Sequence, residues 1–210
     1  EAAGYRRIDP QMPIGKVEAG DKLYVTKNDS SVYAFHIGYK PLADSGFHMI
    51  CAHCDSPTFR IKPNAEILCE GGIVKLNTEV YGGPIMSTWF DRPLTIAGRV
   101  IIKGDDPMNP KTLLLHIKRP LLQISNLAIH FNRQVNDGYK WNPAVDTLPL
   151  VGSKEAAGKL GSLLEQEAGG KILGHDLFLY VREKARVWGV DEEYLSAQAI
   201  DDLECAWCCT

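Results

Sequence analysis

Apolar residues in the first part of the chain come in short runs that predict strands. Residues 22–27 and 32–37 are rich in β-branched and aromatic side chains, and the turn-forming residues 28–31 separate them. Two such runs around an Asn/Asp/Ser loop predict a β-hairpin. Residues 47–52 are almost continuously apolar. That pattern predicts a strand buried on both faces, as in the sheet of an α/β protein.

The middle of the chain keeps this short-strand pattern. Clusters of Gly, Pro and Asn separate four further runs, which predict strands over residues 59–62, 73–80, 94–103 and 112–117. Several strands at this spacing indicate a β-rich module rather than a series of βαβ units.

Helical periodicity appears later. Leucine and alanine recur at helical spacing over residues 154–168, with Ser153 as the predicted N-cap and Gly169 at the predicted end. Residues 176–181 predict another strand, and residues 201–210 predict the first turns of another helix.

Composition narrows the class of protein. The 210 residues are 45% hydrophobic and 23% charged, which is ordinary for a globular protein with a real core. The net charge of −3 gives no basic face, so neither nucleic acid nor an anionic membrane is a predicted partner. No run approaches the roughly 18 apolar residues of a membrane span. The N-terminus has no apolar h-region, which predicts a cytoplasmic location, and no initiator Met, which indicates that the first residues are missing.

Six cysteines include two C-x2-C pairs, Cys51/Cys54 and Cys205/Cys208, the spacing of a tetrathiolate zinc site. About 150 residues separate the pairs, far more than a zinc ribbon uses. Neither pair lies in a Gly-rich knuckle, and free cysteines are commonly buried core residues. We therefore interpret these cysteines as small core residues.

The first local signal for chemistry is His53 with Asp55, directly after the predicted buried strand. Ligand-binding groups of open α/β sheets lie just beyond the carboxyl ends of strands. A histidine there can bind a metal through one ring nitrogen, while an Asp accepts the other N–H and fixes the tautomer. Alone, an H-x-D motif is weak, and a surface turn would use the same residues.

The second signal is the pair Asp201 and Asp202 at a predicted loop-to-helix junction. A carboxylate pair there can simply cap the helix, because the N-terminal dipole favours negative charge. Alternatively, one carboxylate between two cations would be the bridging ligand of a two-metal hydrolytic site.

Beyond these local signals, the chain resembles the N-terminal half of the aspartyl aminopeptidase/aminopeptidase I family of dinuclear zinc exopeptidases, of the bacterial type. Matching blocks follow one another in the family's order along nearly the whole chain. The blocks are residues 26–31 (TKNDSS), 52–57 (AHCDSP), 79–83 (EVYGG), 87–92 (STWFDR), 127–130 (LAIH), 174–180 (GHDLFLY) and 200–203 (IDDL). Together they are far more specific than any single motif.

The resemblance implies a role for each matched residue. His53 corresponds to a ligand of one zinc ion, and Asp55 to the carboxylate that orients it. Asp201 corresponds to the bridging ligand, while Asp202 stays at the helix start without touching metal. His130 corresponds to a residue that reaches a neighbouring subunit's active site, where it helps to bind substrate or to stabilise the oxyanion.

The resemblance also implies an α/β fold in which a zinc-exopeptidase catalytic domain is interrupted by a β-rich dimerisation domain. The expected division is residues 1–57 and 191–210 for the catalytic part and 58–190 for the insertion. The implied reaction is release of N-terminal residues from peptides, acidic Asp/Glu or Leu-type, by metal-activated water. Two Zn2+ ions per complete site are expected, although Co2+ or Mn2+ suits the same ligands. The implied assembly is a homo-oligomer of dimers, commonly a dodecamer.

One departure from the family is large. The family's Glu-Glu pair, whose first Glu is the general base, and its later Asp/Glu and His ligands all follow the bridging Asp. This chain ends nine residues after Asp201 and contains none of them. We therefore expect the isolated chain to be inactive and poorly soluble. Two alternatives stay open: a truncated assembly module that binds full-length subunits, and a small β-rich protein with a structural Cys-zinc site.

Overall fold

The described residues, 2–106 and 108–209 of the computed structural model, separate into two units between Cys51 and Ala52. The predicted boundaries at 57/58 and 190/191 separate the catalytic part from the inserted domain, which is not the division into these two units. Those boundaries stay a prediction.

The first unit contains the predicted hairpin. Strands β2 (Lys22–Lys27) and β3 (Ser31–His36) pair antiparallel, and the short β1 (Arg6–Arg7) pairs parallel with β2. Asn28 and Asp29 have φ angles of 53° and 50° in the connecting turn. Asn and Asp tolerate this left-handed conformation better than other side chains, which explains their place between the strands.

The predicted buried strand over residues 47–52 is wrong. The short helix α1 (Leu42–Ser45) ends at Gly46, and residues 47–52 then have no regular structure. Phe47, Met49 and Ile50 are 75%, 88% and 77% exposed. A strand buried on both faces needs a neighbour on each side to satisfy its backbone, and none of the described strands pairs with this run.

The second unit is dominated by a six-stranded sheet. Its strands are β4 (Thr58–Cys69), β5 (Ile73–Tyr81), β6 (Leu94–Ile102), β7 (Lys111–His116), β8 (Leu150–Ser153) and β9 (Ile172–Val181). The order is β7-β6-β9-β4-β5-β8, and every pair is antiparallel. The predicted β-rich module is therefore confirmed, with β8 as a strand that the hydrophobic pattern did not indicate.

One face of this sheet carries the core. Alternate side chains along β5, β6 and β9 are fully or almost fully buried: Val74, Leu76, Leu94, Ile96, Val100, Leu177 and Leu179. The intervening residues, such as Tyr81 and Tyr180, lie on the opposite face, as the two-residue period of a strand requires. That opposite face adjoins the candidate site.

Helix α2 (Lys159–Ala168) packs Leu160 and Leu164 into the core. It begins later than predicted, because Gly158 has φ +75° and separates it from a 3-10 turn at Lys154–Ala156. Ser153 is not its cap; the Ser153 hydroxyl instead bonds the Glu155 carboxylate. Glu66 of β4 caps the helix from outside, accepting the N–H groups of Gly158 at 2.5 Å and Leu160 at 2.9 Å.

The chain after β9 forms a small hairpin and a last helix. Strands β10 (Arg186–Trp188) and β11 (Tyr194–Ser196) pair antiparallel, and α3 (Ile200–Cys208) confirms the helix predicted from residue 201. A further 3-10 turn spans Met86–Trp89. Within the described residues, every helix is too short or too polar to cross a membrane.

Candidate metal site

The His53 loop has no regular structure and leads directly into β4. His53 Nδ1 lies 2.9 Å from the backbone carbonyl oxygen of Asp55 and 3.3 Å from Asp55 Oδ1. Because a carbonyl oxygen only accepts hydrogen bonds, Nδ1 carries a proton, and Nε2 is the ring nitrogen left to bind a metal when the ring is neutral. This is the tautomer a metal-binding histidine needs, with its outer N–H held by the protein. The same carbonyl contact, more than any nearby charge, raises the pKa of His53.

Asp55 is held in turn by Tyr81 at the end of β5. The Tyr81 hydroxyl donates a 2.5 Å hydrogen bond to Asp55 Oδ2, which lowers the pKa of Asp55. The Tyr81 ring packs edge-on against Phe178 of β9, with centroids 5.3 Å apart. The sequence reasoning missed Tyr81, although its position at a strand end before Gly82-Gly83 was the available signal.

The segment 201–202 meets the His53 loop across a long stretch of chain. Ser56 Oγ donates to the Asp201 carbonyl oxygen at 2.9 Å. The His53 backbone N–H donates to Asp202 Oδ2 at 3.2 Å, and His53 Nε2 lies 3.6 Å from the same oxygen. A cis peptide bond joins Asp201 to Asp202. Both predicted signals therefore converge on one place.

Asp202 also interacts with the thiol of Cys205, one turn along α3. That hydrogen bond is the main reason why the pKa of Asp202 is lowered and the pKa of Cys205 is raised to about 11. The Asp202 side chain is 15% exposed, against 59% for that of His53. Asp202 thus fastens the start of α3 to the His53 loop, in keeping with a place at the helix start.

These elements enclose a cleft of about 500 Å³. Its lining residues come from the His53 loop, the end of β5 and the start of α3: His53, Asp55, Ser56, Pro57, Tyr81, Gly82, Gly83 and Asp201. Gly82 has φ +72° and lies against Pro57, where an added Cβ would be 3.3 Å from Pro57 Cα. Imidazole and carboxylate groups bordering one cleft are donors that zinc accepts.

The described residues supply only part of a metal site. No group of three or more His, Cys, Asp or Glu side chains in residues 2–106 and 108–209 is arranged to hold a metal ion. The same finding applies to the C-x2-C pairs, which form no disulfide. The prediction that the cysteines are core residues is wrong, because four of the six are exposed and the other two are only partly buried. His53 and Asp201 fit as two ligands, and zinc commonly takes four.

His130 is not among the residues that line this cleft. It lies exposed in a turn region after residue 124, and it makes no hydrogen bond, ion pair or ring contact with the rest of the described chain. The role implied for His130 by the sequence, in a neighbouring subunit, therefore stays a prediction.

Comparisons with known proteins agree on one family. The model of the aminopeptidase I zinc metalloprotease family (M18) matches residues 2–210. A probable M18 family aminopeptidase 2 of Clostridium acetobutylicum is 50% identical over an alignment of 195 residues, and the match covers 87% of this chain and 44% of the relative. One from Ectopseudomonas mendocina is 36% identical over 212 residues, covering 97% of this chain and 48% of the relative.

Solved structures give the same result. A structure of Chaetomium thermophilum mApe1 superimposes with a TM-score of 0.83 and 30% identity, covering 98% of this chain and 50% of that one. An M18 aminopeptidase from Thermotoga maritima, at 22% identity and a TM-score of 0.73, shares the fold.

The chain belongs to the M18 family of aminopeptidases. It spans about half the length of the curated relatives that it matches. The predicted fold class, a zinc-exopeptidase catalytic domain interrupted by a β-rich dimerisation domain, is confirmed.

Proposed function

We propose that the protein is a metallo-aminopeptidase that releases N-terminal residues from peptides. The observation that carries the proposal is the convergence of His53 and Asp201 on one cleft in a chain of the M18 family. When bound, zinc would supply the Lewis acidity that activates water for attack on the peptide bond. His53 would hold the metal through Nε2, and Asp201 through its carboxylate.

The remaining residues of the cleft act by positioning. Asp55 holds the His53 ring through its carbonyl and carboxylate oxygens, and Tyr81 holds the Asp55 carboxylate. Asp202 fixes the backbone of His53 to the start of α3. Each of these contacts limits the motion of a ligand, and such outer contacts are commonly worth 10–100-fold in metal affinity or activity.

By itself, the 210-residue chain is proposed to be inactive. The two proposed ligands His53 and Asp201 are fewer than a zinc site uses, and no described Glu belongs to the cleft lining, where a general base would be needed. This incomplete ligand set also favours a second candidate function, a non-catalytic module that assembles with full-length subunits.

Substrate, metal and assembly follow from the family as proposals. The substrates are peptides, with acidic or Leu-type N-terminal residues. Two Zn2+ ions per complete site are proposed, with Co2+ or Mn2+ as possible replacements. A structural neighbour, yeast mApe1, is described as a dodecamer, which supports a homo-oligomer here, in which His130 would serve a neighbouring active site. A cytoplasmic location stays a prediction.

The test measures zinc content and peptidase activity of the whole protein. His53→Ala and Asp201→Asn should each lower bound zinc and reduce kcat/KM by at least 100-fold, with the fold retained by circular dichroism. The matched controls His36→Ala and Asp137→Asn, both exposed and absent from the cleft lining, should leave both quantities unchanged. Full zinc content and activity in both site variants would refute the proposal. The 210-residue chain assayed alone should show no activity, and activity there would refute its proposed inactivity.

A further inference from the structure

The sheet face that carries Tyr81 also carries a cluster with no assigned role. His116 ends β7, Tyr180 lies near the end of β9, and Arg182 follows β9. His116 Nε2 and the Tyr180 hydroxyl are 2.5 Å apart, and Arg182 Nη1 donates to the same hydroxyl at 3.3 Å. The His116 and Tyr180 rings are also in contact, with centroids 5.5 Å apart and planes tilted by 50°. The Tyr180 hydroxyl thus joins an imidazole and a guanidinium.

Arg182 lacks a counter-ion within the part of the chain that the structure describes. Its Nε–H is enclosed and has no hydrogen-bond acceptor there, and no carboxylate lies within ion-pair distance. Removing a guanidinium partly from water without a negative partner is unfavourable. The positive charge of the Arg182 guanidinium is therefore available to an anion.

The neighbouring carboxylate does not neutralise Arg182. Glu183 is held by Arg92 through two bonds of 3.1 and 2.7 Å, and Arg186 lies 3.8 Å from it. These arginines lower the pKa of Glu183, with the Arg92 hydrogen bond as the largest cause. Glu183 is therefore already shared between two cations.

Further positive charge lies close by. Residues 117–122 hydrogen-bond to the first half of β6 from one side, and Arg182 N–H bonds to Pro93 O at the start of β6. Lys118 and Arg119, both exposed, belong to this segment, which borders β6 as Arg182 does. In a chain with a net charge of −3, this end of the sheet is distinctly basic.

The backbone of Arg182 is also fixed. The Gln198 side-chain amide donates to the carbonyl oxygens on either side of it, Val181 O at 2.5 Å and Glu183 O at 3.1 Å. A preorganised guanidinium loses less freedom when it binds a ligand, which favours recognition over a mobile surface arginine.

We propose that His116, Tyr180 and Arg182 form an oxyanion-binding site for a carboxylate or phosphate group. Arg182 supplies the charge and planar N–H donors, which match both kinds of oxyanion. The Tyr180 hydroxyl holds the Arg182 guanidinium in place, and His116 lies on the other side of that hydroxyl. The site does not depend on the proposed metal chemistry.

The experiment is calorimetric titration of the whole protein with inorganic phosphate and, separately, with glutarate. The protein is first stripped of metal with a chelator and then dialysed free of the chelator, because a polycarboxylate would compete for the site; the ionic strength is fixed. At least one anion should bind saturably with one site per chain. Binding of phosphate alone would indicate a phosphate-bearing ligand, and binding of glutarate alone would indicate a peptide or metabolite carboxylate; either supports the site.

Three variants make the test specific. Arg182→Gln should weaken binding at least tenfold. His116→Val should weaken anion binding several-fold, and an exposed strand position tolerates a β-branched residue. This second variant keeps the proposal testable if the arginine variant fails to fold. Arg186→Gln, an exposed arginine in the same basic region, should change affinity less than twofold. If neither anion binds to the wild type, the cluster is not an anion site and the proposal is overturned. An equal loss of affinity in Arg186→Gln would also overturn it, because the overall positive charge of the region would then explain the binding.

Discussion

The N-terminus of α2 depends on a carboxylate from a different strand, which gives a sharp prediction. Glu66 accepts two backbone N–H groups there, and the Gly158 left-handed turn leaves those donors without a local cap. A capping side chain is worth about 0.5–2 kcal/mol, and a negative charge at a helix N-terminus adds about 0.3–1 kcal/mol. We expect Glu66→Ala to lower the local stability of α2 by about 2 kcal/mol.

Hydrogen exchange measured by mass spectrometry on the 159–168 peptide reads this loss directly. Where opening and closing are fast, about 2 kcal/mol accelerates amide exchange roughly 30-fold. Glu66→Gln keeps one neutral acceptor and should give an intermediate rate. The control is Glu70→Ala, an exposed carboxylate just past β4 with no polar partner among the described residues. Unchanged exchange in Glu66→Ala, or equal acceleration in Glu70→Ala, would refute the capping argument.

Two further predictions concern single side chains. Tyr81→Phe keeps the ring against Phe178 but removes the hydrogen-bond donor to Asp55. The pKa of Asp55 should therefore rise, and the zinc affinity of the whole protein should fall 10–100-fold. The control Tyr139→Phe loses a similar hydrogen bond to Asp146 and should leave the zinc affinity unchanged. Burial lowers the pKa of His175, so the unfolded state binds the proton more readily and stability should fall as pH drops below about 6.5. Urea unfolding at pH 7.5 and 5.5 should show a smaller loss in His175→Met than in the wild type; an identical loss would mean that other groups carry the pH dependence.

Local patterns identified most strands, because alternation and turn residues act over a few positions. The β2–β3 hairpin and the strands of the large sheet other than β8 follow from such patterns. The same local reading failed for residues 47–52, where the apolar run resembles a buried strand but no described strand pairs with it. Whether such a run becomes a strand depends on neighbours that its own residues do not specify.

The site shows the same limit. His53, Asp55 and Asp201 could be found from motif and family resemblance, and the structure brings all three to one cleft. Tyr81, the Glu66 cap and the cluster of His116, Tyr180 and Arg182 were missed, because each depends on a contact between residues far apart in the chain. A hydrogen bond between two strands leaves no periodic trace in either one.

The six-stranded sheet has a consequence for how a metal could be acquired. His53 and Asp202 are 149 positions apart, yet β4 and β9 are neighbours, and Thr58 Oγ1 bonds Leu179 O at 2.6 Å across them. Closing a flexible loop of that length would cost about 4 kcal/mol in chain entropy. Folding of the sheet would meet that cost without an ion, so the segment between the proposed ligands His53 and Asp201 would set their separation. Metal uptake should therefore follow the formation of the β4–β9 pair in time.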